Sequence, residues 1–572
     1  MFINSIGFYP FKKVNAQNTG LHNQNGNVYA TKPMPYDTVS FGKVSTVKNK
    51  KSHEIFDNYK PEIKDFGDYK IPVHNKEIAK RLENMYYTET FDKLFDYAAE
   101  KGVFDINIDP KTKFVQTSAI QDGENPLMSK LVWVTDSCNF MPLLKYSNPE
   151  ICVPLMENLS KYYAKQQRAF DRIINDPLQF ELNHDWANTA KNGVGHVFNP
   201  QNNITHKWYA RTRLDSMGLY LQSMCDMITD GIEGFEDYGY KSADEISDKA
   251  IQSMANATAY LTKIIYPYAK DTGAWEEKTF NSTASSDVAI INEAFRKLIS
   301  LMYLPTENED ILKVRERLLN AKHGEIFKDE KVLKDMLKLG EYRIRTNSSW
   351  EFPTERRYDG AMSFIFTTEK LDDDPVKNAK KVFARLKKFE TPTTRSKEIV
   401  RDNGILRYTG DTYLYMNSDI DYEKPLYHPS AKKFPPKTEA QWFMVSDLSR
   451  AYGKIAQSLF DKIDKDGYSD DETRKLLDYA LKKETEYINR AYARITGEDT
   501  YKANGKKCPP FKVPEAYQAV TDTKGKIKFV PGTHTPLTWA QVSLFDASNL
   551  YRSNIQRYEY LHPYKSCVGT RC

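Results

Sequence analysis

The chain has 572 residues, 40% of them hydrophobic, with 82 Lys and Arg against 77 Asp and Glu. That apolar share can build a core, and charges so nearly balanced leave no electrostatic footprint for nucleic acid or a membrane surface. No apolar run approaches the ~20 residues of a spanning helix, and Met1 to Lys13 lacks the apolar stretch of a secretory signal, so a cytoplasmic location is expected.

Residues 1–75 are rich in Asn, Lys, Gly, Pro and Tyr without sustained periodicity. They read as a polar, mostly disordered leader, with room for a short segment docked on the helical domain. From there amphipathic helical patterns dominate. They cover Glu77 to Lys101, Pro149 to Asp176, Leu214 to Thr229, Ala243 to Ala269 and Ser286 to Met302. Others lie at Asp329 to Lys338, Pro375 to Lys388, Glu439 to Lys465, Asp470 to Thr496 and Thr538 to Arg557. Strand signals are confined to Lys113 to Thr117 and Lys526 to Val530. Ten to twelve helices joined by loops rich in Trp, Asp, Glu and Arg predict an all-α toroid with its site at one end. A helical repeat array is the competitor, but no repeat of fixed period is present. The expected organisation is a leader (1–75), one helical domain (76–565) and a short tail (566–572).

The six cysteines form no CxxC pair, so no zinc site is expected. Cys138, Cys152 and Cys225 lie in apolar surroundings and read as small core residues. Asp461 to Gly467 resembles the start of a calcium loop. With Gly467 at the sixth position, the first falls on Lys462 and the twelfth on Thr473, so both essential carboxylates are missing. No nucleophile elbow or HExxH pattern occurs.

Two separated carboxylates sit among aromatic residues: Glu276 in Trp275-Glu276-Glu277, and Glu515 upstream of Leu537-Thr538-Trp539. Inverting glycoside hydrolysis needs such a pair, a protonated acid beside the leaving oxygen and an ionised base for the water. A carboxyl against an indole is poorly solvated, which raises its pKa toward that of a working acid. The 37 Tyr and 7 Trp suit a sugar-lined cleft or an ordinary core.

In chain order the polar-aromatic loops are WVTDS (133–137), RTRLDS (211–216), AWEE (274–277), RYTGD (407–411), AQWF (440–443), PEAYQ (514–518) and LTWAQ (537–541). The series resembles, in the same order, the motifs of the glucoamylase family of inverting glycoside hydrolases. It is also similar to the related N-terminal domain of the phosphorylase kinase α and β subunits. The resemblance spans about residues 130 to 550. It implies an (α/α)6 barrel, an exo-acting α-glucosidase and no cofactor or metal, with Glu276 as general acid and Glu515 as general base. It further implies that Asp136, Asp215, Glu277, Arg407 and Asp411 bind sugar hydroxyls, and that Trp133, Tyr209, Trp275 and Trp442 form aromatic walls. The family has Arg where this chain has Thr135, and Arg211 or Arg213 is the candidate replacement. RYTGD also lacks the Pro and Glu of the family motif. The structural alternatives are helix caps and ion pairs for the carboxylates and core packing for the aromatics. The alternative function is a non-catalytic or regulatory glucan-binding module of the kinase-subunit type. An α-glucan or oligosaccharide is the expected partner, and nothing in the chain names a protein partner.

Overall fold

A computed structural model describes residues 50–118, 130–182, 193–206, 213–234, 238–275, 283–347, 351–352, 358–391, 399–411, 413–414, 438–467 and 470–561. Among the described residues, twelve helices build the domain as six hairpins. The outer helices are α1 (Thr88–Glu100), α3 (Pro149–Ala164), α5 (Asp248–Lys263), α7 (Glu330–Asn347), α9 (Pro375–Glu390) and α11 (Asp471–Ala493). Each alternates with an inner helix. These are α2 (Val134–Asn139 continued by Met141–Ser147), α4 (Asp215–Ile232), α6 (Ser285–Tyr303), α8 (the 3-10 turn Gly360–Phe364 running into Ile365–Thr368), α10 (Val445–Asp466) and α12 (Thr538–Leu561). The inner helices touch in the order α2, α4, α6, α8, α10, α12 and back to α2. The ring is closed, so the fold is an (α/α)6 barrel rather than an open repeat array.

The outer helices start on side-chain caps where the sequence supplies them. Ser247 accepts from Ala250 N, Asp374 from Lys377 N, and Asp470 from Thr473 N at 2.7 Å. Helix α10 stops at Gly467, whose φ of 72° is the left-handed conformation glycine adopts without penalty. The calcium-like stretch is the last turn of this helix. Its Asp461 and Asp464 pair with Arg557 of α12 and its Asp466 with Lys462.

The departures from the sequence reading concern β structure, while the leader supplies the docked segment for which that reading left room. Among the described residues ten short strands are present, named β1 to β10 in chain order. Residues 113–117 form only an isolated bridge between Ile108 and Val115. The second expected strand is β10 (Ile527–Pro531), paired antiparallel with β9 (Ala516–Thr521). It belongs to a five-stranded sheet of order β10-β9-β8-β7-β6, with β6 at Val400–Arg401, β7 at Gly404–Ile405 and β8 at Gln441–Trp442. A small sheet joins β3 (Val132–Trp133), β4 (Val197–Asn199) and β5 (Ile204–Thr205). Within the expected leader, a helix (Lys50–Asp57) and the hairpin β1 (Glu62–Asp65) and β2 (Lys70–Val73) dock on the domain. Phe56 and Tyr59 are buried there with Val520 and Val530 of the large sheet. Residues 1–49 and 566–572 lie outside the described residues.

Among the described residues no helix is long and apolar enough to cross a membrane. Cys138, Cys152, Cys225 and Cys508 are buried free thiols. Burial pushes Cys138 and Cys152 up to about 12, which makes them poor nucleophiles.

The packing of α10, α11 and α12 turns on one carboxyl. Glu484 is fully buried and accepts from Asn554 Nδ2 at 3.0 and 3.1 Å. It fits because Gly453 faces it, where a Cβ would come within 2.3 Å of Glu484 Oε1. Burial pushes Glu484 up to about 8 from 4.5. The unfolded chain loses this proton from about pH 4.5 upward, while the folded chain holds it to about 8. Wild-type stability therefore falls as pH rises through that window, by up to about 1.4 kcal/mol per pH unit. Glutamine does not titrate. The Tm of Glu484→Gln relative to wild type is expected to climb between about pH 5 and pH 8. A pH-independent difference in calorimetry would show that Glu484 is ionised in the fold.

Candidate active site

The inner helices run parallel, so their N-termini gather at one end of the ring. At α2, α4, α6 and α10 the N-cap residues Trp133, Leu214, Ala284 and Met444 supply no side-chain cap. Each of these helices instead carries an aspartate in its first turn: Asp136, Asp215, Asp287 and Asp447. Helix N-termini stabilise negative charge, so this end of the barrel tolerates a concentration of carboxylates.

Beside it stands a wall built around Arg407. Its Nε and Nη2 donate to Asp411 at 2.7 and 2.6 Å, a bidentate pair in which both residues are buried. Four rings surround the guanidinium: Tyr413 at 4.7 Å, Trp442 at 5.0 Å, Trp275 at 5.5 Å and Tyr408 at 5.7 Å. The Trp275 and Trp442 ring centroids are 5.6 Å apart. Trp275 Nε1 donates to Asp359 Oδ1 at 2.7 Å, and the same oxygen caps α8 through Ala361 N at 2.8 Å. The Trp442 Nε1–H is buried with no acceptor among the described residues.

The large sheet brings Glu515 to this wall. Trp442 of β8 is register partner to Ala516 of β9, so Glu515 lies one residue beyond that pair. Glu515 is 8% exposed, and its Oε2 is 2.6 Å from His534 Nδ1. Its N–H donates to His534 O, so the two residues are joined through backbone and side chain. Behind them Arg494, also buried, donates to the carbonyls of Asn403, Gln441, Pro514 and Glu515. Burial lowers Arg494 to about 10.

Of the residues singled out in the sequence, Trp275, Arg407, Asp411 and Trp442 meet in one cluster, with Glu515 next along the sheet. Asp136 and Asp215 occupy the first turns of adjacent inner helices. Trp133 is buried with Leu131 and Val197. Arg213 pairs with Asp215 at 2.9 Å and is held there. Thr135 is 1% exposed, and its hydroxyl has no partner among the described residues. Glu276, Glu277, Tyr209 and Arg211 lie outside the described residues.

Sequence reasoning missed His534 and Asp359, which act on the site through partners distant in the chain, and Tyr413, which packs on Arg407 and Trp442. It also missed Asp271 and Asp287, two fully buried carboxyls that hydrogen-bond each other four residues before Trp275 and at the start of α6. Burial raises both; the Asp271 charge raises Asp287 further, whereas the hydrogen bond from Asp287 holds Asp271 lower, so a proton stays between them. Among the described residues no group of three or more His, Cys, Asp or Glu is placed to hold a metal ion.

No family model and no curated protein matches the chain in sequence. Several solved structures are similar to it. A glucoamylase from Saccharomycopsis fibuligera is 13% identical, with 89% of this chain and 99% of that one covered, at a TM-score of 0.48. A glycosidase is 12% identical over 82% of this chain and 100% of that one, also at 0.48. The glucoamylase of Hormoconis resinae is 13% identical over 82% and 74%, at 0.43. Identities this low leave any assignment of function to the site itself.

The Arg407–Asp411 pair provides a direct test of the wall. Breaking a buried pair strands a charge and costs about 3–5 kcal/mol. Asp411→Asn is expected to lower the unfolding free energy measured by urea titration by that amount. Replacing both partners, Arg407→Met with Asp411→Leu, is expected to cost less than the sum of the single changes. Additive costs in this cycle would mean that the two side chains do not interact.

Proposed function

We propose that the chain is a glycoside hydrolase of glucoamylase type, acting by inversion on the non-reducing ends of α-glucans or α-gluco-oligosaccharides. In this reading Glu276 protonates the glycosidic oxygen and Glu515 activates the water. The oxocarbenium-like transition state forms between them. The supporting observation is that one residue, Trp442, touches the neighbours of both carboxylates. Its ring packs on Trp275, which precedes Glu276, and its backbone pairs with Ala516, which comes directly after Glu515.

The surroundings suit the chemistry. His534 donates to Glu515 and fixes the direction of one carboxylate oxygen, leaving the other for water. The Trp275 and Trp442 faces offer apolar platforms for a sugar ring, and the Trp442 N–H offers a donor to a hydroxyl. Asp411, braced by Arg407, and Asp136 and Asp215 at the helix starts supply acceptors for hydroxyl protons. Tyr209, Arg211, Glu277 and Trp133 complete the proposed sugar contacts. One observation favours the second reading, a glucan-binding module without turnover: the short, neutral Thr135 stands where the family carries a charged fork.

The deciding experiment is glucose release from maltooligosaccharides, with the anomer followed by NMR. Wild type is expected to release β-glucose first. Glu276→Gln and Glu515→Gln are each expected to lose at least ~10²-fold in kcat. His534→Gln is expected to lower kcat more than it raises KM. Initial α-glucose would overturn inversion. Saturable oligosaccharide binding without turnover, abolished by Trp275→Ala, would select the binding module.

A further inference from the structure

The lumen of the barrel is not filled. All six inner helices contribute to one cavity of about 180 Å³, which therefore lies on the axis of the ring. Along α4 its lining runs from Asp215 through Gln222 to Asp226, a depth of about 16 Å at about 1.5 Å per residue. At the N-terminal end it is sealed by Thr135 and Asp215, which are 1% and 2% exposed. At the other end the lining side chains of Asp226, Arg450 and Asp546 retain 28%, 25% and 32% of their exposure. The cavity is thus a pit that opens at the face opposite the candidate active site, and the two share a floor.

The chemistry of the pit changes with depth. At the mouth Asp226 pairs with Lys297 at 2.6 Å and Asp546 with Arg450 at 2.7 Å, while Lys145 lies over the Tyr238 ring at 4.1 Å. The interior mixes apolar side chains, among them Leu219, Ile290 and Val542, with the uncharged polar groups of Asn139, Gln222, Ser223, Thr367 and Ser543, of which Gln222, Thr367 and Ser543 already donate to Ile290 O, Phe364 O and Asp447. At the floor Trp539 stacks on Phe364, with ring centroids 5.9 Å apart and planes 14° apart. The buried Thr135 hydroxyl lines the same floor with no partner among the described residues. A neutral ligand that combines hydroxyls with apolar faces matches this mixed lining, in which the Thr135 hydroxyl is left to bond it. At about 10–15 Å³ of such space per water, the pit exceeds the bulk of one hexose. We infer that this axial pit is a second binding site, back to back with the candidate active site, for a neutral polyhydroxylated molecule of about the size of one hexose.

The site does not depend on catalysis. The test is a crystal structure of the full chain soaked in D-glucose, for wild type, Ser223→Leu and Asn139→Leu. Ser223→Leu fills the pit and Asn139→Leu removes an amide at constant size, so either one that folds serves. The expected result is one sugar in the wild-type pit, stacked against Trp539 or Phe364, and background density there in both variants. Ordered water alone in the wild-type pit would overturn the inference. So would a sugar bound only at Trp275, Arg407 and Glu515, or pit density that survives both substitutions. A sugar in the pit of a chain that hydrolyses no α-glucoside would sustain the inference and overturn the proposed activity.

Discussion

One buried guanidinium holds the candidate base in place. Arg494 lies just beyond the end of α11 and spends its donors on four main-chain carbonyls: Asn403, Gln441, Pro514 and Glu515. These come from the segments that begin β7, β8 and β9. Strands of two residues cannot stabilise one another through ladder hydrogen bonds alone. The fork of Arg494 replaces the missing ladder, and each carbonyl it serves would otherwise be buried unpaired at about 1–3 kcal/mol. Gly404 makes room for it, since a Cβ there would meet Arg494 Nη1 at 2.5 Å and Trp442 O at 2.4 Å. The positions of Trp442 and Glu515 are thus consequences of a single cation.

The docked segment at residues 50–75 belongs to the same framework. His74 stacks on Tyr517 at 4.1 Å and on Tyr59 at 6.0 Å. Its Nε2 faces the Asn403 side-chain Oδ1 at 2.8 Å, so the proton sits on Nε2 and Nδ1 accepts from the Tyr59 hydroxyl. Burial drives His74 down to about 3, which keeps the ring neutral and this tautomer fixed. Asn403 therefore joins the N-terminal segment to Arg494, and Arg494 joins it to Glu515. The segment is part of the scaffold behind the site.

Ten of the twelve barrel helices were legible in the sequence because each leaves a local signal; the broken α2 and the short α8 were not among the expected spans. Amphipathic spacing, Ser247, Asp374 and Asp470 as caps, and Gly467 as a stop all act within a turn or two of the chain. The large sheet was not legible, because two-residue strands leave no alternation to detect. The cluster of Trp275, Arg407, Asp411 and Trp442 was found through its motifs rather than through any periodicity. His534 was missed because its meaning lies in Glu515, 19 residues away, and Asp359 because its meaning lies in Trp275, 84 residues away. Neither sits in a motif. Asp287 was not singled out, since only the fold brings Asp271 against it.

The charge arrangement links the barrel to the proposed chemistry. Parallel inner helices turn their N-termini to one end, and four of them place an aspartate there. A carboxylate-rich end would repel itself in a sheet-based pocket, but helix N-termini supply partial positive charge that offsets the repulsion. One pair, Asp271 and Asp287, avoids the remaining repulsion by retaining a proton. The cations nearby are already committed, Arg213 to Asp215 and Arg407 to Asp411. What faces a bound ring is then a field of negative charge and acceptors with little free positive charge to oppose it. A neutral sugar gains modestly from that field. A ring that develops positive charge as its glycosidic bond breaks gains more, and only at the transition state, which is the condition for lowering a barrier rather than only tightening binding.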